Sequence, residues 1–145
     1  MVRAWMLVVI LLGACGSNPQ PGQAGASSSL RIVFGSDPPY EVVNSPTSDS
    51  TATTLVVRVA DERTVTLLSL SLPLIDQRIP ITSDSMSTSI WAKRINDQPL
   101  IASEGEITTT IVDAHLSVVI NVRKPEDSFG AVTTITGSIE LDLPR

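Results

Sequence analysis

From Leu30 onward, apolar and polar residues alternate in short runs separated by turn residues. This period of two is the signature of half-buried strands. Leu30 to Phe34 is a first apolar run, Asp37-Pro38-Pro39 breaks it, and Tyr40 to Val43 resumes it. Residues 44–54 are polar and predict a loop. Leu55, Val57 and Val59 then share one strand face, with Val56, Arg58 and Ala60 on the other. Asp61-Glu62-Arg63 predicts a turn. In the next run Val65 and Leu67 alternate with Thr64 and Thr66, after which Leu68, Leu70 and Leu72 carry the apolar phase. That one-residue flip predicts a β-bulge, or two elements meeting there. Pro73 just before the stretch Ile75 to Ile81 and Pro80 within it bar it from a central strand and favour a sheet edge. Met86 to Arg94 predicts a further strand with Ile90 and Trp91 on opposite faces.

The C-terminal third has the cleanest alternation. Ile107, Thr109 and Ile111 face one way within Glu106 to Val112. Leu116, Val118, Ile120 and Val122 follow after a tight turn at Asp113-Ala114, and Ile135, Ile139, Leu141 and Leu143 after a longer loop at Lys124 to Gly130. Thr134, Thr136, Ser138, Glu140 and Asp142 take the opposite face. These runs predict a three-stranded antiparallel meander with one polar side. No stretch carries a helical period with caps. The expected architecture is all-β, an antiparallel β-sandwich of about seven or eight strands over residues 30–145, with a β-barrel as the alternative.

The N-terminus is different in kind. Arg3 precedes an apolar run from Trp5 to Leu12, and Leu12-Gly13-Ala14-Cys15 follows. Spanning a bilayer takes about 20 apolar residues, so this run is too short for a membrane-spanning helix. It reads as a secretory signal. The ending, a large aliphatic residue, two small residues and a cysteine, resembles the signal of bacterial lipoproteins. The resemblance implies cleavage before Cys15 and acylation of its thiol and new amine. Leu12, Gly13 and Ala14 are then the recognition residues and Cys15 the lipidated one. Gly16 follows, where the family's inner-membrane retention signal has aspartate, which implies delivery to the outer membrane in a Gram-negative cell. The C-terminal half also resembles uncharacterised bacterial lipoproteins with β-sandwich domains, through Gly105-Glu106-Ile107-Thr108 and Thr136-Gly137-Ser138-Ile139.

Residues 16–29 hold neither charge nor a large apolar side chain. Such a composition cannot bury enough surface to offset ordering. It predicts a flexible tether reaching on the order of 20 Å. The expected organisation is a signal peptide over 1–14, the lipidated cysteine and tether over 15–29, and one domain over 30–145. Removing Arg3 with the signal takes the formal charge from −5 to −6. That sign opposes a nucleic-acid partner and supplies no polybasic patch to draw the body onto anionic lipid. Cys15 is the only cysteine, so the body must fold without disulfides. Aromatic residues make up only 3% of the chain, which argues against an aromatic sugar-stacking platform.

Candidate chemistry is sparse. His115 is the only histidine, expected on the polar face at a strand start. Serines are plentiful, but no Gly-x-Ser-x-Gly elbow accompanies them. A zinc site wants several His or Cys ligands. The paired acids Asp61-Glu62, Glu104 with Glu106, and Glu126-Asp127 fall at turns and strand ends, where solvated charges belong. So do the basic pairs Lys93-Arg94 and Arg123-Lys124. Core packing is the favoured reading of Trp91, since large aromatics are mostly buried; because it shares a strand face with Ser89 and Lys93, it is also the candidate partner contact. Neither catalytic residues, nor a metal, nor a cofactor is expected. The expected function is a lipid-anchored envelope protein whose noncatalytic sandwich acts as a binding or structural module. Its partners would be the membrane, through the anchor, and an envelope protein or small ligand. Binding of a small apolar or saccharide ligand is the alternative, and a small envelope hydrolase the third.

Overall fold

The computed structural model describes residues 26–84, 88–125 and 131–144. Eleven strands follow in chain order: β1 (Ser27–Phe34), β2 (Tyr40–Asn44), β3 (Thr47–Ser50), β4 (Thr54–Ala60), β5 (Thr64–Ser71), β6 (Gln77–Pro80), β7 (Ser89–Arg94), β8 (Leu100–Ile101), β9 (Glu104–Val112), β10 (His115–Lys124) and β11 (Thr133–Asp142). They form two antiparallel sheets, ordered β2-β1-β11-β10-β9-β6 and β3-β4-β5-β7-β8. The sheets stack as a sandwich and do not close into a barrel, since each keeps its own two edge strands.

The expected meander is β9, β10 and β11, which lie side by side in the larger sheet. Its tight turn is Asp113-Ala114, with φ of 49° and 63°. Positive φ at both central residues is the type I′ pattern that matches strand twist in two-residue hairpins. Ile79 lies in β6 at an edge of the larger sheet, where Pro73 and Pro80 placed that stretch.

Four expectations are corrected. The first strand begins at Ser27 rather than Leu30, so Ser27 to Ser29 pair in the larger sheet. Ser28 is buried, and its hydroxyl donates to the Asn44 carbonyl at 2.6 Å. Within residues 44–54, Thr47 to Ser50 form a strand against β4, although all four side chains are exposed. Backbone pairing holds that edge and leaves no apolar signature. Leu100–Ile101 adds a second unforeseen edge. Finally, β5 has no bulge, because its register with β4 and β7 is unbroken. Thr64 and Thr66 take the inner positions ahead of Leu68 and Leu70, while Val65 and Leu67 stand on the outer side.

Between the sheets, Leu30, Ile32, Leu68, Leu70, Ile90, Ile107, Leu116, Val118, Ile120 and Ile139 are all at most 1% exposed. Among the described residues, the apolar cluster to which they belong runs from Ala26 to Leu143. These residues form one core, a condition for folding as a unit.

Candidate functional site

Three places on the sandwich bring polar or apolar groups together. The first is the polar cluster at the paired ends of β10 and β11. Register places His115 opposite Asp142 and Ser117 opposite Glu140. His115 Nδ1 lies 2.7 Å from Asp142 Oδ1, and Nε2 lies 2.9 Å from Glu140 Oε2. The Ser117 hydroxyl donates to Glu140 Oε1 at 2.8 Å. A nucleophilic triad needs one imidazole nitrogen facing the serine and the other an acid. Here both nitrogens face carboxylates and the serine bonds an acid, so the cluster has the parts of a triad without its connectivity. It sits on the polar outer face, as expected for His115.

Hydrogen bonding to Asp142 first, then to Glu140, raises the His115 pKa above its ordinary 6.5. A raised folded value means that the cluster's stabilising effect is complete below 6.5. It is lost as pH climbs through the folded value. An NMR titration should therefore place the His115 midpoint above 6.5, and Asp142→Asn should lower it. A midpoint at or below 6.5 would show that the imidazole is not held between the two acids.

The second place is a cleft of about 510 Å³ at one end of the sandwich, lined by Phe34, Asp37, Arg94, Asp97, Leu100 and Lys124 among others. Arg94 organises it. Its Nη1 is hydrogen-bonded to Asp37, and its guanidinium lies 4.9 Å from the centre of the Phe34 ring. Its buried Nε approaches Asp97 Oδ2 at 3.1 Å, at an angle that makes this an ion pair rather than a hydrogen bond. The arginine thus ties the loop after β1 to the loop after β7, one from each sheet. Two carboxylates already offset its charge, so the cleft is poorly suited to a strong anion site.

The third place is the outer face of the five-stranded sheet. Ile90 and Ala92 point inward with no exposure, which puts Trp91 outward with Ser89 and Lys93. Of the two readings of Trp91, the outward one holds, although neighbours leave the ring only half-buried. Register sets Arg58, Leu67, Trp91 and Ile101 in one row across β4, β5, β7 and β8. Ile101 is 57% exposed. Single-strand periodicity finds Trp91 but not this row, because its members come from four strands.

The remaining candidates have structural partners. Asp61 Oδ1 accepts from the Arg63 and Thr64 amides at 2.8 and 2.7 Å, which closes the expected turn. Burial pushes its pKa up, but these bonds and the Thr64 hydroxyl outweigh it and leave the pKa below the usual value. Glu104 pairs with Arg123 at 2.6 Å and Glu106 with Arg78 at 3.9 Å, so these two acids do not work as a pair. Glu126-Asp127, Met86 and the segment Leu12, Gly13, Ala14 and Cys15 lie outside the described residues. Leu68 and Leu70 are buried in the core. The apolar recess, of about 320 Å³, lies farther out between Leu55, Leu72, Leu74, Ile111 and Leu143. Among the described residues, no group of three or more His, Cys, Asp or Glu is placed to hold a metal ion. Comparison with known proteins finds no matching family model, no matching curated protein and no matching solved structure.

Proposed function

We propose that this chain is a lipid-anchored envelope protein whose sandwich serves as a noncatalytic binding or structural module, in a Gram-negative cell at the outer membrane. The observation that carries the proposal is Leu12-Gly13-Ala14-Cys15 directly after the short apolar run. The uncharged stretch after Cys15 supports it, because it joins the cysteine to a strand that begins at Ser27. A tether of that length suits a body held close to a surface by acyl chains. The noncatalytic part is supported by the wiring of His115, whose two nitrogens are both committed to carboxylates. Binding of a small apolar ligand is the second reading, favoured by the recess between Leu55 and Leu143.

Cys15→Ser tests the anchor. In cells fed labelled fatty acid, the native chain should incorporate label and fractionate with membranes. The variant should take up none and accumulate as precursor or in the soluble fraction. Native chain recovered free of membrane with an unmodified Cys15 thiol would refute the proposal.

A further inference from the structure

We propose that the outer face of the five-stranded sheet, centred on Trp91, docks on an anionic phospholipid surface. The inference rests on the lipid-anchor reading for its biological setting, but the surface itself is argued from the sandwich alone.

The face has two components. Leu67 and Trp91 pair across β5 and β7, Ile101 extends the row at the sheet edge, and Val56 and the buried Val65 continue the same side. Arg58 and Lys93 flank this apolar strip, opposite Leu67 and Val65 in register. Among the described residues no carboxylate lies within ion-pair distance of either cation. Arg31, Arg78, Arg94 and Arg123 all have acidic partners. Asp49 is a carboxylate on this side. It stands on edge strand β3 across from Val56, and its Oδ1 accepts the Ser50 amide. The chain carries −5 overall, yet this face has two uncommitted cations around an indole and aliphatic side chains. Whole-chain charge, which argued against lipid contact, conceals that distribution.

The combination fits one partner well. Tryptophan favours the headgroup level of a bilayer, where its ring is apolar and its N–H stays wet. Lysine and arginine beside it can meet lipid phosphates, and each adds attraction to an anionic surface. Leu67 and Trp91 stand beside each other on the outer side of neighbouring strands rather than between the two sheets. Tethering supplies the remaining factor. About 12 residues separate Cys15 from Ser27, and fully extended they span roughly 40 Å. A body held within that reach meets the membrane at an effective concentration of about millimolar. A weak surface then suffices, and two cations with one indole make a weak surface.

Trp91 makes the test direct, since Trp5, the other tryptophan, lies outside residues 26–145. The body over 26–145 also lacks Cys15, so its behaviour is independent of lipidation. It should be titrated with vesicles of phosphatidylcholine alone and of phosphatidylcholine with phosphatidylglycerol. The anionic vesicles should shift Trp91 emission to the blue and sediment the protein, and neutral vesicles should do so at least about tenfold less well. Raising salt should weaken the anionic binding. Arg58→Glu with Lys93→Glu, checked for native circular dichroism, should abolish the preference. The proposal is overturned by emission that no vesicle moves, or by binding that survives both the double substitution and high salt. It is equally overturned if position 91 cross-links to an envelope protein while vesicles leave its emission unchanged. Loss of fatty-acid labelling at Cys15 would refute the anchor and leave the vesicle result standing, so the two failures are distinguishable.

Discussion

Gly137→Ala should be among the most damaging single substitutions in the body. Gly137 lies mid-strand in β11, between Leu30 of β1 and Ile120 of β10. Its φ is +136°, a region that side chains rarely enter. A Cβ there would meet the Ser29 carbonyl oxygen at 2.0 Å and Leu30 Cα at 3.0 Å. Both are backbone atoms of a central strand, so neither can swing aside. The glycine lets β1 approach β11 closely. Restoring a Cβ forces either a strained backbone or a broken β1–β11 ladder. The expected cost is about 4 kcal/mol or more, read as a fall in the denaturant midpoint or as failure to fold. Gly35→Ala is the useful comparison. There φ is +58° and the nearest atom, the Ala131 Cβ, lies 3.1 Å away on a loop that can give. A Gly137→Ala protein as stable as the native one would mean that β1 and β11 do not run this close.

Gly137 also shows where the fold was legible. A glycine inside an alternating run marks a bulge or a close backbone approach, and its neighbours Ile135 and Ile139 kept the inward phase that the sequence predicts. The runs that became β4, β9, β10 and β11 are read correctly because each has one buried face and one wet one. β3 escaped because all four of its side chains face water and only its backbone is paired. The phase of β5 was misread for a related reason. Taking every apolar residue as inward puts Val65 and Leu67 inside, whereas Thr64 bonds Asp61 from an inner position and Leu67 packs beside Trp91 on the outer side.

That misreading hid the candidate site as well. Trp91 was visible as an outward residue from Ser89 and Lys93 on its own strand. Its neighbours Arg58, Leu67 and Ile101 are brought to it by register, which one sequence does not contain. The His115 cluster was hidden in the same way, because Asp142 and Glu140 lie more than twenty residues along the chain. Leu12-Gly13-Ala14-Cys15, on which the proposed anchor rests, has the opposite character. It is a local string that requires no folding to be read.

The second large effect is expected at Ile120. It is 1% exposed in the middle of β10, between Val118 and Val122, which are also buried. Across the strand it faces Ile107 of β9 on one side and Gly137 of β11 on the other. Ile120→Ala removes buried methyl groups and leaves a cavity whose cost depends on how well its walls relax, typically about 2–5 kcal/mol. One wall here is a glycine, which has no side chain to move into the space, and the flanking strands are tied by continuous ladders. The loss should therefore fall in the upper part of that range. Val119, the next residue, is 53% exposed on the opposite face. Val119→Ala should change stability by no more than about 0.5 kcal/mol, and Thr134→Ala, on the same outer side, should behave alike. Urea unfolding of the three variants reads these differences directly. Equal losses at positions 119 and 120 would mean that β10 presents its other face to the core. The strand phase of the whole meander would then be wrong, and with it the outward setting of His115.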